Sequence, residues 1–263
     1  MGITWLASYP KSGNTWVRFI LSNALYGPTE RSIDVNRRIP DMHRRLPDDR
    51  LASPDQGGPL LAKTHFELSN AHPELARTDR ALHIIRNPRD VLLSALNYRR
   101  LNGVTPAQLS DKAYAEMFIR AGGDPTWKQQ KFGTWASHAA SWTGTDAFPV
   151  RTIRYEDLKA DTMGVMRDAI EFMGLEIEDD ALERAIKASS FDSLRAIEIR
   201  EKADPKRKDG LFLGDTRTNR QGVFFMNKGL TGQSLDEAIA PGLDAMLDAA
   251  LGDMPARFGY GSN

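Results

Sequence analysis

"ASYPKSGNTWVRFILSNAL", residues 7–25, sets Pro, Lys, Ser, Gly, Asn and Thr between an apolar lead-in and a helical pattern. The lead-in, Ile3-Thr4-Trp5-Leu6-Ala7, is short, apolar and partly β-branched, and reads as a buried strand. Beyond the turn, Val17, Ile20, Leu21, Ala24 and Leu25 recur at three and four, which predicts an amphipathic helix of about three turns. Gly27-Pro28 stops it. A strand, a tight polar turn and a helix start bring backbone N–H groups together at the positive end of a helix dipole. The stretch is therefore either an ordinary strand-to-helix connection with a surface lysine or a cradle for phosphate. The Walker phosphate loop ends in Gly-Lys-Ser/Thr. Here the tail is Gly13-Asn14-Thr15, with Asn14 where that lysine would stand and Lys11 three residues ahead of it. Moving the cation to the front of the loop argues against a conventional ATPase or GTPase.

Outward from this turn, the pattern alternates strands and helices. Residues 59–65, 81–86 and 150–155 read as three further strands, and Asn87-Pro88-Arg89-Asp90 opens a helix whose apolar face is Val91, Leu92, Ala95 and Leu96. Helical patterns also cover 127–142, 156–173, 180–188 and 234–251. Residues 28–58 are polar and aperiodic, with room for a short helix. Residues 195–222 are charged and glycine-punctuated, and read as a long mobile segment. There is no internal repeat and no composition break. The expected fold is α/β: one domain over 1–263 with a central, mostly parallel sheet flanked by helices on both faces and a P-loop-like nucleotide site.

Composition narrows the function classes. Lys+Arg and Asp+Glu are both 35 in 263 residues, so no global field recruits nucleic acid or an acidic membrane. No cysteine is present, which removes disulfides, thiolate zinc sites and thiol nucleophiles and fits a reducing cytoplasm. The N-terminus lacks a signal-peptide pattern, and no apolar run approaches the roughly 18 residues needed to span a bilayer, so no membrane span is expected.

Several motifs, taken together, resemble those of sulfotransferases that use 3′-phosphoadenosine 5′-phosphosulfate (PAPS). "YPKSGNTW" (9–16) resembles that family's 5′-phosphosulfate loop, and "RNPRDVLLS" (86–94) its 3′-phosphate site. "KTH" (63–65) is similar to the strand end that carries the family's base, and "RYEDLKAD" (154–161) to the segment whose tyrosine lies near the adenine. These four motifs occur in the family's order over roughly the first 160 residues. "SSFDSL" (189–194) and "FFMNKG" (224–229) resemble, more loosely, the last two nucleotide-contacting segments. In length and in its early loop the chain is similar to small bacterial members that modify natural products.

The resemblance implies roles. Sulfuryl transfer is an in-line displacement, and the protein positions groups and neutralises developing charge. Lys11 is the expected cation for the leaving oxygen. Backbone N–H groups of Ser12, Gly13, Asn14 and Thr15, with the Ser12 and Thr15 hydroxyls, hold the 5′-phosphate. Trp16 stacks on adenine or packs in the core, and the two are compatible. Arg86 and Ser94 hold the 3′-phosphate that separates PAPS from ATP; the alternative for Arg86 is a surface pair with Asp90. His65 is the general base, because imidazole titrates near working pH and strand ends are where α/β ligands bind. Lys63 shares one side of its strand with His65 and joins the catalytic set with Lys11 and Ser94, or is merely a solvated strand-end charge. The other histidines, at 43, 72, 83 and 138, have no such setting. Tyr155, Ser189, Phe191, Phe225, Met226, Asn227, Lys228 and Gly229 complete the nucleotide contacts.

The pattern has two departures. Asn227 replaces an arginine found in the cytosolic animal enzymes, so 3′-phosphate affinity is lower or Arg217 or Arg220 substitutes. The short C-terminal dimerisation motif of those enzymes is missing, so a homodimer, if formed, uses another surface. The acceptor is a small molecule entering through loops at 28–58, 98–130 and 195–222. Rival functions are a P-loop small-molecule kinase, which needs a lysine beside Gly13, and a non-catalytic PAPS-binding protein, which has no need of His65.

Overall fold

Six consecutive buried residues, Ile3–Ser8, make the first strand, β1. In the computed structural model, which describes residues 2–44, 60–102, 109–203, 213, 223–227 and 229–261, β1 lies inside a four-stranded sheet. β2 (Leu61–Thr64) flanks it on one side and β3 (Thr78–Ile85) on the other, with β4 (Val150–Arg154) outside β3. All pairings are parallel, in the order β2-β1-β3-β4. Parallel neighbours need crossover connections, and helices supply them. Between β1 and β2 lie α1 (Asn14–Tyr26) and α2 (Ser32–Arg38). Between β3 and β4 lie α3 (Pro88–Asn102), α4 (Asp111–Ala121), α5 (Pro125–Gln129) and α6 (Trp135–Thr143). After β4 come α7 (Tyr155–Ala160), α8 (Thr162–Phe172), α9 (Asp179–Ala188), α10 (Phe191–Ala203), α11 (Leu235–Ala238) and α12 (Leu243–Leu251).

Side-chain alternation along β1 serves two cores. Leu6 packs with Val17 and Ile20 of α1 and Met166 of α8, whereas Ile3, Trp5 and Ala7 pack with Trp142 of α6. Both faces are thus covered, and the strands read as near-continuous apolar runs for that reason. A third cluster joins α3, α4, α6 and α12. Arg89, buried, fastens α3 to α12 through Asp244 (2.8 Å) and Asp248 (2.6 Å). The chain leaves β1 toward β2 and returns as β3 on the opposite side. The loops after β1 and β3 therefore part at their carboxyl ends and open the crevice where α/β sheets bind ligands.

Four expectations are corrected. The helix read over 156–173 is two, α7 and α8, because Asp161 (φ −136°, ψ 79°) leaves the helical region and caps α8 by accepting from Gly164 N. The helix read over 127–142 is two, because Lys131 (φ 65°) and Gly133 (φ 74°) turn left-handed and Thr134 recaps the chain. The helix read over 234–251 is likewise broken, at Pro241-Gly242. Residues 195–203, read as mobile, belong to α10. Its two glutamates point inward: the Glu201 carboxylate accepts from Ser32 N (2.7 Å) and Ser32 Oγ (2.6 Å), and Glu198 pairs with Lys202 at 2.6 Å. Lys228, Arg217, Arg220 and most of 204–222 lie outside the described residues, as do 45–58.

Three histidines are structural. Burial pushes His72 down to about 4 and His83 to about 3; His138 is driven well below its ordinary value by burial and then by His83, His65 and His72. With native values depressed, the unfolded chain takes up protons first as pH falls below about 6.5, so acid favours unfolding. We expect the melting temperature to drop between pH 7.5 and 5, above the main carboxylate range. A flat profile in differential scanning calorimetry would show that these rings are not held neutral.

Candidate active site

The turn after β1 is bent by two left-handed residues, Lys11 (φ 70°) and Gly13 (φ 100°). Gly13 is required twice over, since a Cβ there would sit 2.4 Å from the Tyr155 ring. No side chain caps α1: Trp16 N and Val17 N turn back to Gly13 O (2.9 and 3.3 Å), and the amides of Asn14 and Thr15 ahead of them have no capping side chain. Asn14, standing where a Walker loop has its lysine, is a brace: its Nδ2 donates to Leu6 O (2.9 Å) and Ser8 Oγ (3.2 Å), tying the helix start to β1. The Ser12 hydroxyl is buried with no partner.

The Lys11 ammonium lies 4.0 Å from the Phe225 ring centroid and 4.7 Å from that of Tyr98. Burial, followed by the nearby Arg86 and Lys63 charges, lowers it to about 7. Arg86, immediately after β3, donates to Lys11 O (3.0 Å) and Leu230 O (2.7 Å) and lies 4.4 Å over Tyr155. It does not pair with Asp90. That carboxylate instead accepts from Gly232 N (3.0 Å) and from the Gln233 amide group (3.0 Å). Ser94 is two turns along α3 from Arg86, on the same cavity wall.

At the end of β2, His65 Nδ1 lies 2.6 Å from Ser8 O. A carbonyl only accepts, so Nδ1 carries the proton, and in the neutral ring Nε2 is the acceptor. Burial and then Lys63 lower the imidazole well below its ordinary value, so the ring is neutral at pH 7. Lys63 is no solvated charge: its Nζ is 2.7 Å from Asp41 Oδ2, and both side chains are buried.

These groups line one cavity of about 820 Å³. Lys11, Gly13, Asn14, Thr15, Trp16, Arg86, Ser94 and Tyr155 form one part of its wall, with Phe191, Phe225, Met226, Asn227 and Gly229; Lys63 and His65 join the same lining. Trp16 both lines it and packs edge-on to Tyr155 and Phe191. Ser189 stands apart: it is fully buried, its hydroxyl accepts from Asn23 Nδ2 (2.9 Å) and its carbonyl from Trp16 Nε1 (3.0 Å). Its place in the structure is to seat Trp16 and α1. Of the expected rim, Asp41 and His43 come from 28–58, and Tyr98, Asp124, Thr126 and Trp127 from 98–130, where helices rather than loops carry most of the wall. No described residue of 195–203 lines it.

Sequence reasoning passed over Asp41, His43 and Arg18. Asp41 sits in an aperiodic stretch with no strand signal. Arg18 looks like the polar face of an amphipathic helix, yet it is 1% exposed and donates to Asn36 Oδ1 (3.1 Å) and Ile39 O. Arg195 was read as part of a mobile loop. It brings a guanidinium to the 225–227 segment, donating to Met226 O and Asn227 O (3.0 Å).

The family model described as the sulfotransferase domain matches residues 3–254. The chain belongs to that family. Among its relatives, Sulfotransferase 2A6 of Rattus norvegicus is 29% identical over 197 residues, 72% of this chain and 66% of that protein. Human Sulfotransferase 1C2 is 25% identical over 203 residues, 72% and 64% respectively. The chain thus spans just under two thirds of the length of these animal sulfotransferases. The fold matches the crystal structure of mouse sulfotransferase SULT7A1 complexed with PAP, with a TM-score of 0.63 at 19% identity over 97% of this chain and 84% of that one. It also matches retinol dehydratase in complex with androsterone and inactive cofactor PAP, with a TM-score of 0.64 at 17% identity over 96% and 80%. Among the described residues, no helix is long and apolar enough to cross a membrane, and no acidic, His or Cys group could hold a metal.

A sulfotransferase-family site that concentrates cations this way is built at a cost to the fold. Lys11 is depressed from 10.5, so relative to a neutral side chain its penalty is absent above that pH, grows as pH falls and is complete below about 7. Two cation–π contacts return about 0.5–2 kcal/mol, less than the desolvation that drives the shift. Lys11→Met should therefore raise stability by on the order of 1–3 kcal/mol at pH 6.5, and the gain should shrink toward pH 10.5. Denaturant melts at both pH values check this, and a less stable variant at pH 6.5 would refute it.

Proposed function

We propose that the chain transfers a sulfuryl group from PAPS to a hydroxyl or amine of a small-molecule, glycoside or natural-product acceptor. The observation that carries this reading is that a buried cation, a buried arginine with a serine two turns on, and a neutral imidazole share one cavity. The donor set suits a polyanion. Lys11 and Arg86 have no carboxylate partner among the described residues, the Ser12 hydroxyl is buried and unpaired, and the first-turn amides of α1 are uncapped.

PAPS supplies the activated sulfuryl group and a phosphate oxygen as leaving group. Amides 12–15 and the Thr15 hydroxyl hold the 5′-phosphate, and Lys11 neutralises charge that builds on the leaving oxygen. Arg86 and Ser94 hold the 3′-phosphate. Trp16, Tyr155 and Phe191 give the adenine an aromatic wall, which Phe225, Met226, Asn227 and Gly229 extend. His65 Nε2 takes the acceptor's proton while its Nδ1–H stays on Ser8 O, so the new O–S or N–S bond forms as the old S–O bond breaks. Lys63 stabilises charge near the transferring group. Ser189 contributes through the Trp16 it seats. No metal has a role. The cysteine-free composition supports a cytoplasmic setting, and the early loop supports an enzyme of bacterial style. Any homodimer forms away from the animal-type C-terminal motif.

Two measurements test the reading. Adenosine 3′,5′-bisphosphate should raise the melting temperature more than ADP at equal concentration, because only it presents a 3′-phosphate to Arg86; equal shifts would remove PAPS as the co-substrate. His65→Ala should lower turnover about 10²–10⁴-fold with labelled PAPS across a screen of phenols, glycosides and amines, while bisphosphate binding stays near wild type. Unchanged turnover would remove His65 as the base. A wild-type chain that binds the nucleotide but sulfates nothing would favour a binding protein.

A further inference from the structure

We infer that Asp41 is a positioning residue for sulfuryl transfer, its carboxylate fixing the Lys63 ammonium inside the cavity two residues from His65. The inference rests on the function proposed above. Asp41 is not on a loose loop. It forms an isolated parallel bridge with Lys63, and Lys63 N donates to Pro40 O at 2.8 Å, so the segment lies along the free edge of β2. Its own N–H donates to Asn36 Oδ1 (3.2 Å), the same oxygen that receives Arg18 Nη2, and its Oδ1 accepts from His43 N at 3.1 Å. Backbone and side chain are both anchored before the carboxylate meets Lys63 at 2.7 Å, with side-chain exposures of 5% and 10%.

Lysine carries a point charge on a four-carbon stem, so without a fixed anchor its head samples many positions. A buried carboxylate removes that freedom, and deleting it would take away the oxygen that the buried ammonium meets at 2.7 Å. Three charged or titratable side chains bear on the pair: Arg18 from α1, His65 beyond β2 and Lys11 from the first loop; His43, whose backbone N–H holds Asp41, bears on His65. Burial alone would raise Asp41, but Lys63, then Arg18 and His65, hold it well below the usual carboxylate range. A carboxylate so stabilised is a poor proton acceptor and does not compete with His65 for the acceptor's proton.

A merely structural ion pair would affect folding but not the partition of the kinetics. We therefore compare the wild type with Asp41→Asn, Asp41→Glu, Lys63→Met and Asp41→Asn/Lys63→Met in the full chain. For Asp41→Asn we expect kcat to fall at least about tenfold with KM for PAPS within about threefold, and partial recovery in Asp41→Glu. In the Lys63→Met background, Asp41→Asn should change kcat little further. Unchanged kcat in folded Asp41→Asn, or losses that multiply in the double variant, overturns the inference. A readout independent of turnover is acetic anhydride labelling at pH 8 followed by mass spectrometry. Lys63 should label several-fold faster in Asp41→Asn, with surface Lys112 unchanged; equal Lys63 labelling overturns its placement by Asp41. If Asp41→Asn does not fold, Asp41→Glu and the double variant, which leaves no unpaired charge, decide by the same readouts. Failure of the wild type to sulfate any acceptor sinks the proposed function, whereas the labelling still decides the placement of Lys63.

Discussion

Arg86 spreads one guanidinium across segments 75 and 144 residues away in the chain, donating to Lys11 O and Leu230 O. Both acceptors are backbone carbonyls, so the contact fixes main-chain paths and not merely side chains. It closes the crevice between the ends of β1 and β3 and draws the late segment over the first loop. The plane of Arg86 lies on Tyr155, and Tyr155 fills the space that only Gly13 leaves open. Loop curvature, aromatic wall and late segment are therefore fitted to one another. A substitution at any of them disturbs the others, and additivity fails among such neighbours.

The late segment is held just as deliberately from the other side. Glu198 accepts from Phe225 N (2.7 Å) and Met226 N (2.9 Å), Arg195 takes the Met226 carbonyl, and Asn97 donates to Phe224 O at 3.0 Å. Phe225 reaches Lys11 because α10 and α3 grip its backbone. Buried carboxylates used as N–H acceptors are strongly favourable when fully satisfied and expensive when not.

How much of this was legible in the sequence follows from which forces leave periodic traces. β1, β2 and the second half of β3 announce themselves because both faces of a parallel sheet are buried there, and the first helix because its stripe meets one core; β4, outside β3, buries only Ile153. His65, Lys11 and Arg86 were legible because strand ends point into the crevice. Breaks inside helical patterns were less legible: Lys131 adopts a left-handed turn with no glycine to mark it. α10 was missed because Glu198 and Glu201 are buried for hydrogen bonding, and charge normally signals solvent. Asp41 was missed for a related reason: its partner is 22 residues away across a strand edge, and no local pattern encodes that pairing.

Charge bookkeeping connects the fold to the chemistry. Lys11, Lys63, Arg86 and Arg18 all border the cavity, and the carboxylates around it are already engaged. Asp90 serves the Gly232 and Gln233 amides, Asp124 serves Thr126 and the Tyr114 hydroxyl, and Asp41 serves Lys63. Burial first, and then the positive charge around them, depresses Lys11 and His65 together, yet the proposed transfer asks opposite outcomes of the two groups. In the transfer proposed above, the imidazole stays neutral to accept a proton, and the ammonium is charged when negative charge develops beside it. A bound polyanion raises Lys11 by direct attraction. At His65 the Ser8 carbonyl holds the proton on Nδ1, and Asp41 partly offsets the field of Lys63. The geometry thus lets one positive pocket hold a lysine that an anion can charge beside an imidazole that stays neutral, because each answers to a different neighbour.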